Sequence, residues 1–136
     1  MISTKIKSVH YRKVQIDYIM KDTYELLKLA VASLDEKKAD DIRVIDISEI
    51  SVVADYFLIA SGSNKSQLQA MSNNVEEKLG RAGMKENHIE GYDTANWILL
   101  DFGDIIIHLF DKENRNLYNI ERIWRDGKEL DIHTLI

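Results

Sequence analysis

The 136-residue chain contains no cysteine, which excludes a disulfide framework, a thiolate metal site and a cysteine nucleophile together. It has no uninterrupted apolar run near the roughly 18 residues that span a bilayer as a helix, and its first residues lack the apolar centre of a secretory signal. No membrane partner is expected, and the cytoplasm is the expected location. Histidines are few: His10, His88, His108 and His133 are scattered without ligand spacing, so no metal and no cofactor are expected. Positive charge is scarce and unevenly placed. The formal net charge is −5, yet residues 1–19 carry Lys5, Lys7, Arg12 and Lys13 against Asp17, a net of +3. The remainder holds 14 basic and 22 acidic residues, a net of −8. A field of that sign repels phosphate backbones, so direct nucleic-acid binding is not expected as the main activity. It favours encounter with a basic protein surface instead.

What is present suits one soluble domain. Apolar residues make up 45% and charged residues 30%, the ordinary balance of a globular chain. A helix is expected from Asp22, a side chain able to cap backbone N–H groups, with Glu25 three residues on. Leu27, Ala30, Val31 and Leu34 follow at helical spacing. Ile42–Ile47 reads as a β-branched strand and Tyr56–Ala60 as a buried one, ending at Ser61-Gly62-Ser63-Asn64. Asn64 can cap a second helix with core positions Leu68, Met71, Val75 and Leu79, and Gly83 suits its left-handed stop. Ile89 begins a third strand that Glu90-Gly91 interrupts. Near the end, Leu117, Ile120 and Ile123 or Trp124 recur at helical spacing, so a short docking helix is expected. Asp126-Gly127 stops it.

The segment from Trp97 to Phe110 says most about function. Two apolar runs flank Asp101-Phe102-Gly103-Asp104, which reads as a hairpin turn. The expected register sets Leu99 opposite Ile106 and Trp97 opposite His108. Side chains alternate across a strand, so the hairpin has two faces. Ile98, Leu100, Ile105, Ile107 and Leu109 form an aliphatic face that fits a core beneath helices. Trp97, Leu99, Asp101, Asp104, Ile106 and His108 form a face too polar for a dry core and too apolar for an idle surface. An indole amid aliphatic neighbours suits a protein-binding anchor. The residues by themselves leave open whether this face docks a partner, pairs with a second copy as a homodimer, or is covered by the chain's own C-terminal segment.

Three segments, taken in order, resemble the Iojap/RsfS family of ribosomal silencing factors: Asp55 to Asn64, Glu90-Gly91 through Trp97 to Phe110, and Leu117 to Trp124. The resemblance covers residues 22 to about 125 and leads to an expected division of the chain. Residues 1–19 are an N-terminal extension, disordered or non-native, or else a basic arm toward ribosomal RNA. Residues 20–125 are the silencing-factor domain, and residues 126–136 are a loosely held C-terminal tail. The resemblance implies an α/β fold, a mixed sheet with helices on one face, similar to nucleotidyltransferases. It also implies a partner, the large-subunit ribosomal protein numbered fourteen, whose occupation would block joining of the small subunit. Carried over residue by residue, the partner-binding positions are Trp97, Leu99, Asp101 and His108, with Tyr92 and Asp93 just upstream. This inclines the mixed face toward binding.

A nucleotidyltransferase-like fold also raises an enzymatic alternative. Phosphoryl transfer would need a Gly-Ser turn followed by carboxylates that hold divalent cations. Ser61-Gly62-Ser63 supplies the turn, but Lys65 to Asn74 contains no Asp or Glu, and Glu76-Glu77 lie at adjacent helical positions that do not converge. No catalytic residue is therefore assigned. Bland readings stand beside several of the other positions. Asp104 serves the turn first, and Asp101 is assigned to the partner because it shares the face of Trp97. His108 is either a charged partner for Asp101 or Asp104, or a strand histidine packed beside Trp97. Trp124 reads as a core plug.

Overall fold

In the computed structural model, residues 23–117 and 125–136 are described. The 1–19 extension, the Asp22 cap and most of the helix expected over 117–124, with Trp124, lie outside them. Helix α1 (Thr23–Glu36) buries Leu26, Leu27, Ala30, Val31 and Leu34, one stripe at the predicted spacing. Strands β1 (Asp40–Asp46) and β2 (Tyr56–Gly62) follow. Helix α2 (Lys65–Arg81) starts at Asn64, whose Oδ1 accepts from the Gln67 backbone N–H at 2.8 Å. The Gln67 side chain donates to the carbonyls of Lys37 and Lys38, both at 3.0 Å, and so ties the start of α2 to the end of α1. Leu68, Met71, Val75 and Leu79 are all fully buried, and Gly83 adopts φ +92° beyond the helix end. Next come β3 (His88–Glu90), β4 (Trp97–Asp101), β5 (Ile105–Asp111), α3 (Lys112–Leu117) and β6 (Lys128–Leu130).

The six strands form one mixed sheet in the order β3-β4-β5-β2-β1-β6. Only β2 and β5 run parallel; the other neighbours are antiparallel. Helices α1 and α2 pack on one face, where Leu58, Ala60, Ile98, Leu100, Ile105, Ile107 and Leu109 complete the main core. The opposite face carries a smaller cluster of Ile45, Ile47, Ala54, Phe57, Ile59, Ile106 and Phe110, with Trp97 and Leu99 at its half-buried margin.

Two expectations are corrected. The hairpin pairs Leu99 with His108, Trp97 with Phe110 and Asp101 with Ile106, two residues from the expected register. Phe102 is the reason. It extends the Ile98–Leu100 alternation into the helix-side core at 3% exposure. Its N–H bonds the Ile105 carbonyl at 2.9 Å, so the turn tip moves on to Gly103, at φ +87°, and Asp104. A shift of two keeps each side chain on its face, so the assignment of faces survives. The second correction concerns residues 126–136. β6 pairs along β1, Val44 with Leu130 and Asp46 with Lys128, and Leu135 enters the main core at 2% exposure. This end of the chain covers a sheet edge that would otherwise present unpaired backbone groups.

Candidate functional site

The second face of the hairpin is built around an aromatic cluster. Trp97 stands beside Phe110 across the β4–β5 ladder, with ring centroids 4.9 Å apart. From there it reaches diagonally to His108, and its indole Nε1 donates to His108 Nδ1 at 3.0 Å. Phe57, on the parallel neighbour β2, lies 5.0 Å from the imidazole. An indole N–H can only donate, so Nδ1 is the unprotonated nitrogen and the ring hydrogen sits on Nε2. Burial pushes the His108 pKa down to about 4, because desolvation disfavours the charged form. The imidazole is therefore neutral at pH 7, and Nε2 has no hydrogen-bond partner among the described residues. An unmet buried donor costs about 1–3 kcal/mol.

Beside the indole, Glu90, Gly91, Trp97 and Leu99 line an open groove of about 280 Å³. Gly91 makes the groove possible. Its φ of +79° suits glycine, and a Cβ there would collide with the Trp97 carbonyl oxygen. The chain thus folds tightly against the strand that carries the indole.

The predicted positions divide. Trp97 and Leu99 are half-buried at the margin of the second-face cluster and line the groove. His108 is on the expected face but only 4% exposed. It supports Trp97 from beneath, and being neutral it forms no ion pair with Asp101 or Asp104. The turn role expected of Asp104's side chain falls to Asp101. The Asp101 carboxylate accepts from the Gly103 N–H at 2.8 Å and so braces the turn. The exposed Asp104 uses its backbone carbonyl, which accepts from Asp55 at 2.8 Å and Tyr56 at 3.0 Å. Tyr92 does not join the group, because its side chain packs against the helix-side core and its carbonyl accepts from Gln69 on α2 at 2.8 Å. Asp93 is exposed in the same loop. The left-handed turn at Gly91 reverses the alternation that would have kept Tyr92 with Trp97. Phe57 was not predicted; its place on β2, in register with Ile106, depends on a parallel pairing that no local pattern reveals.

At the far end of β2 the Ser61-Gly62-Ser63 turn is engaged by the chain itself. Arg115, on α3 and 8% exposed, donates to Ser61 Oγ at 2.8 Å and to the Asp41 carbonyl at 3.0 Å, and pairs with the Asp41 carboxylate at 3.1 Å. Asp41 sits in a β-bulge at φ +49°, a conformation uncommon for a residue with a Cβ; the bulge aims both its carbonyl and its carboxylate at the guanidinium. Among the described residues, no three His, Asp or Glu side chains converge as metal ligands.

Comparison with known proteins gives this architecture a family. Residues 20–135 match the family model described as "Ribosomal silencing factor during starvation". The chain is 40% identical over 107 residues to the ribosomal silencing factor RsfS of Bacillus subtilis, covering 79% of this chain and 91% of that one. It is 32% identical over 101 residues to the mouse protein named mitochondrial assembly of ribosomal large subunit protein 1, covering 72% of this chain and 44% of the mouse protein. A crystal structure of a Chromobacterium violaceum protein superposes with a TM-score of 0.73 at 32% identity, covering 79% of this chain and 88% of that one.

Proposed function

This chain belongs to the ribosomal silencing factor family, and on that premise we propose that it binds the large ribosomal subunit through the fourteenth ribosomal protein and there blocks joining of the small subunit. Translation is repressed by occupation of the docking site, without a chemical step. The protein acts in the cytoplasm, where ribosomal subunits meet.

The observation that carries this reading is Trp97. A half-buried aromatic side chain beside a groove, with its N–H fixed on a buried histidine, presents apolar surface whose rotamer is already chosen. Little conformational entropy is left to lose on binding. The acidic balance of residues 20–136 complements a basic ribosomal protein. An interface of ordinary size, about 800 Å² per partner, would centre on Trp97 and Leu99. The mouse relative is likewise named for the ribosomal large subunit.

The test is co-sedimentation of Trp97→Ala with purified large subunits, alongside an assay of subunit joining. Truncating a central indole typically costs about 2 kcal/mol or more, roughly a thirtyfold loss of affinity. The variant should remain folded, bind at least that much more weakly and fail to prevent joining. Undiminished binding rejects this surface.

A further inference from the structure

The connection between β1 and β2 breaks the usual pattern in which loops turn polar groups outward. Ile47 and Ala54 are buried at its ends, yet Ile50, Val52 and Val53 are 45%, 105% and 69% exposed. A single exposed apolar residue needs no explanation, but three within four positions form a patch. Four backbone N–H groups of the loop are hydrogen-bonded within it or to its base. Ile50 and Ser51 donate to the Ile47 carbonyl at 3.0 and 2.9 Å, and the Val53 N–H bonds Ser51 Oγ at 3.0 Å. The Ser48 N–H bonds the Asp46 carboxylate at 2.9 Å. These bonds brace the loop on either side of Val52, which reduces the ordering that binding would require.

Its position and charge indicate the occupant. Asp55 and Tyr56 bond the Asp104 carbonyl, which fixes the loop at the turn end of the hairpin. Trp97 lies level with Phe110, at the other end of β5. From Ile105 to Phe110 is about 17 Å at the rise of a strand, and a standard interface of about 800 Å² spans roughly 30 Å. The loop's buried ends, Ile47 and Ala54, belong to the same second-face cluster that Trp97 packs against, so one footprint can take in both features. Asp46, Asp55 and Asp104 lie together at the loop's base, and Glu49 is exposed within the loop. The Asp55 carboxyl is pushed up by burial and then by repulsion from Asp104 and Asp46, so these charges feel one another. Lys128, opposite Asp46 on β6, offsets part of the acidity. A second copy would bring the same carboxylates face to face, and a phosphate backbone would be repelled. A basic protein surface with an apolar recess matches both properties.

We infer that Ile50, Val52 and Val53 are a second anchor of the docking surface, seating in an apolar recess of a basic ribosomal protein while Trp97 engages the same partner from the other end of β5. This rests on reading the Trp97 face as the large-subunit contact, so the experiment separates the two claims. Full-length wild type, Trp97→Ala and the double variant Val52→Ser/Val53→Ser are compared for co-sedimentation with purified large subunits, thermal unfolding and light scattering. The double variant should keep the wild-type melting temperature, because both valines are exposed, and bind about tenfold more weakly. Wild-type affinity in the double variant, with loss in Trp97→Ala, overturns the second anchor and leaves the first. Loss in the double variant alone supports the loop and overturns Trp97 as the centre. Wild-type affinity in both variants, or no binding by wild type, overturns both claims. A wild-type dimer that the double variant dissociates, with subunit binding unchanged, reassigns the loop to self-association and overturns the inference.

Discussion

The two faces of the sheet solve different problems with the same strands. Beneath the helices, Leu58, Ile98, Leu100, Ile105, Ile107 and Leu109 are aliphatic and fully buried. Every contact there serves stability. On the reverse, Phe57, Ile59, Ile106 and Phe110 are buried, but the cluster admits an imidazole and tapers into the half-buried Trp97 and Leu99. One face is closed and predominantly aliphatic, with Phe102 among its members and a buried Ser72 Oγ on α2 that also lacks a partner among the described residues. The other buries a neutral imidazole with an unmet Nε2 and leaves Trp97 and Leu99 half-buried at its margin, a composition suited to a contact surface as well as to packing.

Three perturbations bear on that contrast. The largest effect belongs to the closed face: Leu100→Ala should cost about 2–5 kcal/mol through lost burial and a residual cavity. Chemical denaturation measures it, and large-subunit binding per folded molecule should stay unchanged. A negligible cost would mean that the helix side is not the stabilising core. Next comes acidification. His108 has its pKa lowered from 6.5 to about 4, so the unfolded chain binds more protons between those values. Stability is then fully present above about pH 6.5, falls as the pH drops toward 4, and levels off below. The depression amounts to at most about 3 kcal/mol. Asp55 acts in the opposite sense, since its raised pKa makes the folded state the better proton acceptor. Unfolding at pH 7 and pH 4.5 should show a His108→Leu variant with a flatter pH dependence than wild type; an unchanged slope would move the proton-linked group elsewhere. The smallest effect is expected of Asp101→Ala. It removes one bond to the Gly103 N–H, costing about 1 kcal/mol of stability and weakening subunit binding less than Trp97→Ala does. An equal loss of binding would return Asp101 to the partner.

Much of this contrast is written in the sequence, because alternation is local. Ile98, Leu100, Ile105, Ile107 and Leu109 could be placed on one face without knowing which turn joins them, and an error of two in register left that assignment intact. The capping of α2 by Asn64 and its buried stripe of Leu68, Met71, Val75 and Leu79 were legible for the same reason. What escaped depends on distance in the chain. β6 is three residues long, too short for a period to show, and its partner lies more than 80 positions earlier. Phe57 meets His108 only through the parallel β2–β5 pairing. The roles of Asp101 and Asp104 turned on which residue forms the tip of the hairpin.

Arg115 has a consequence for how this fold meets small molecules. In sheets with parallel strands, ligands commonly enter the crevice beyond the strands' carboxyl ends. The carboxyl ends of β2 and β5 meet at Gly62 and Asp111, and the neighbouring Ser61 hydroxyl is held by a guanidinium 8% exposed to solvent. The chain has become its own tenant there. A nucleotide arriving at that threshold would first have to evict a cation anchored to two strands, and eviction would loosen the hold on the bulge at Asp41.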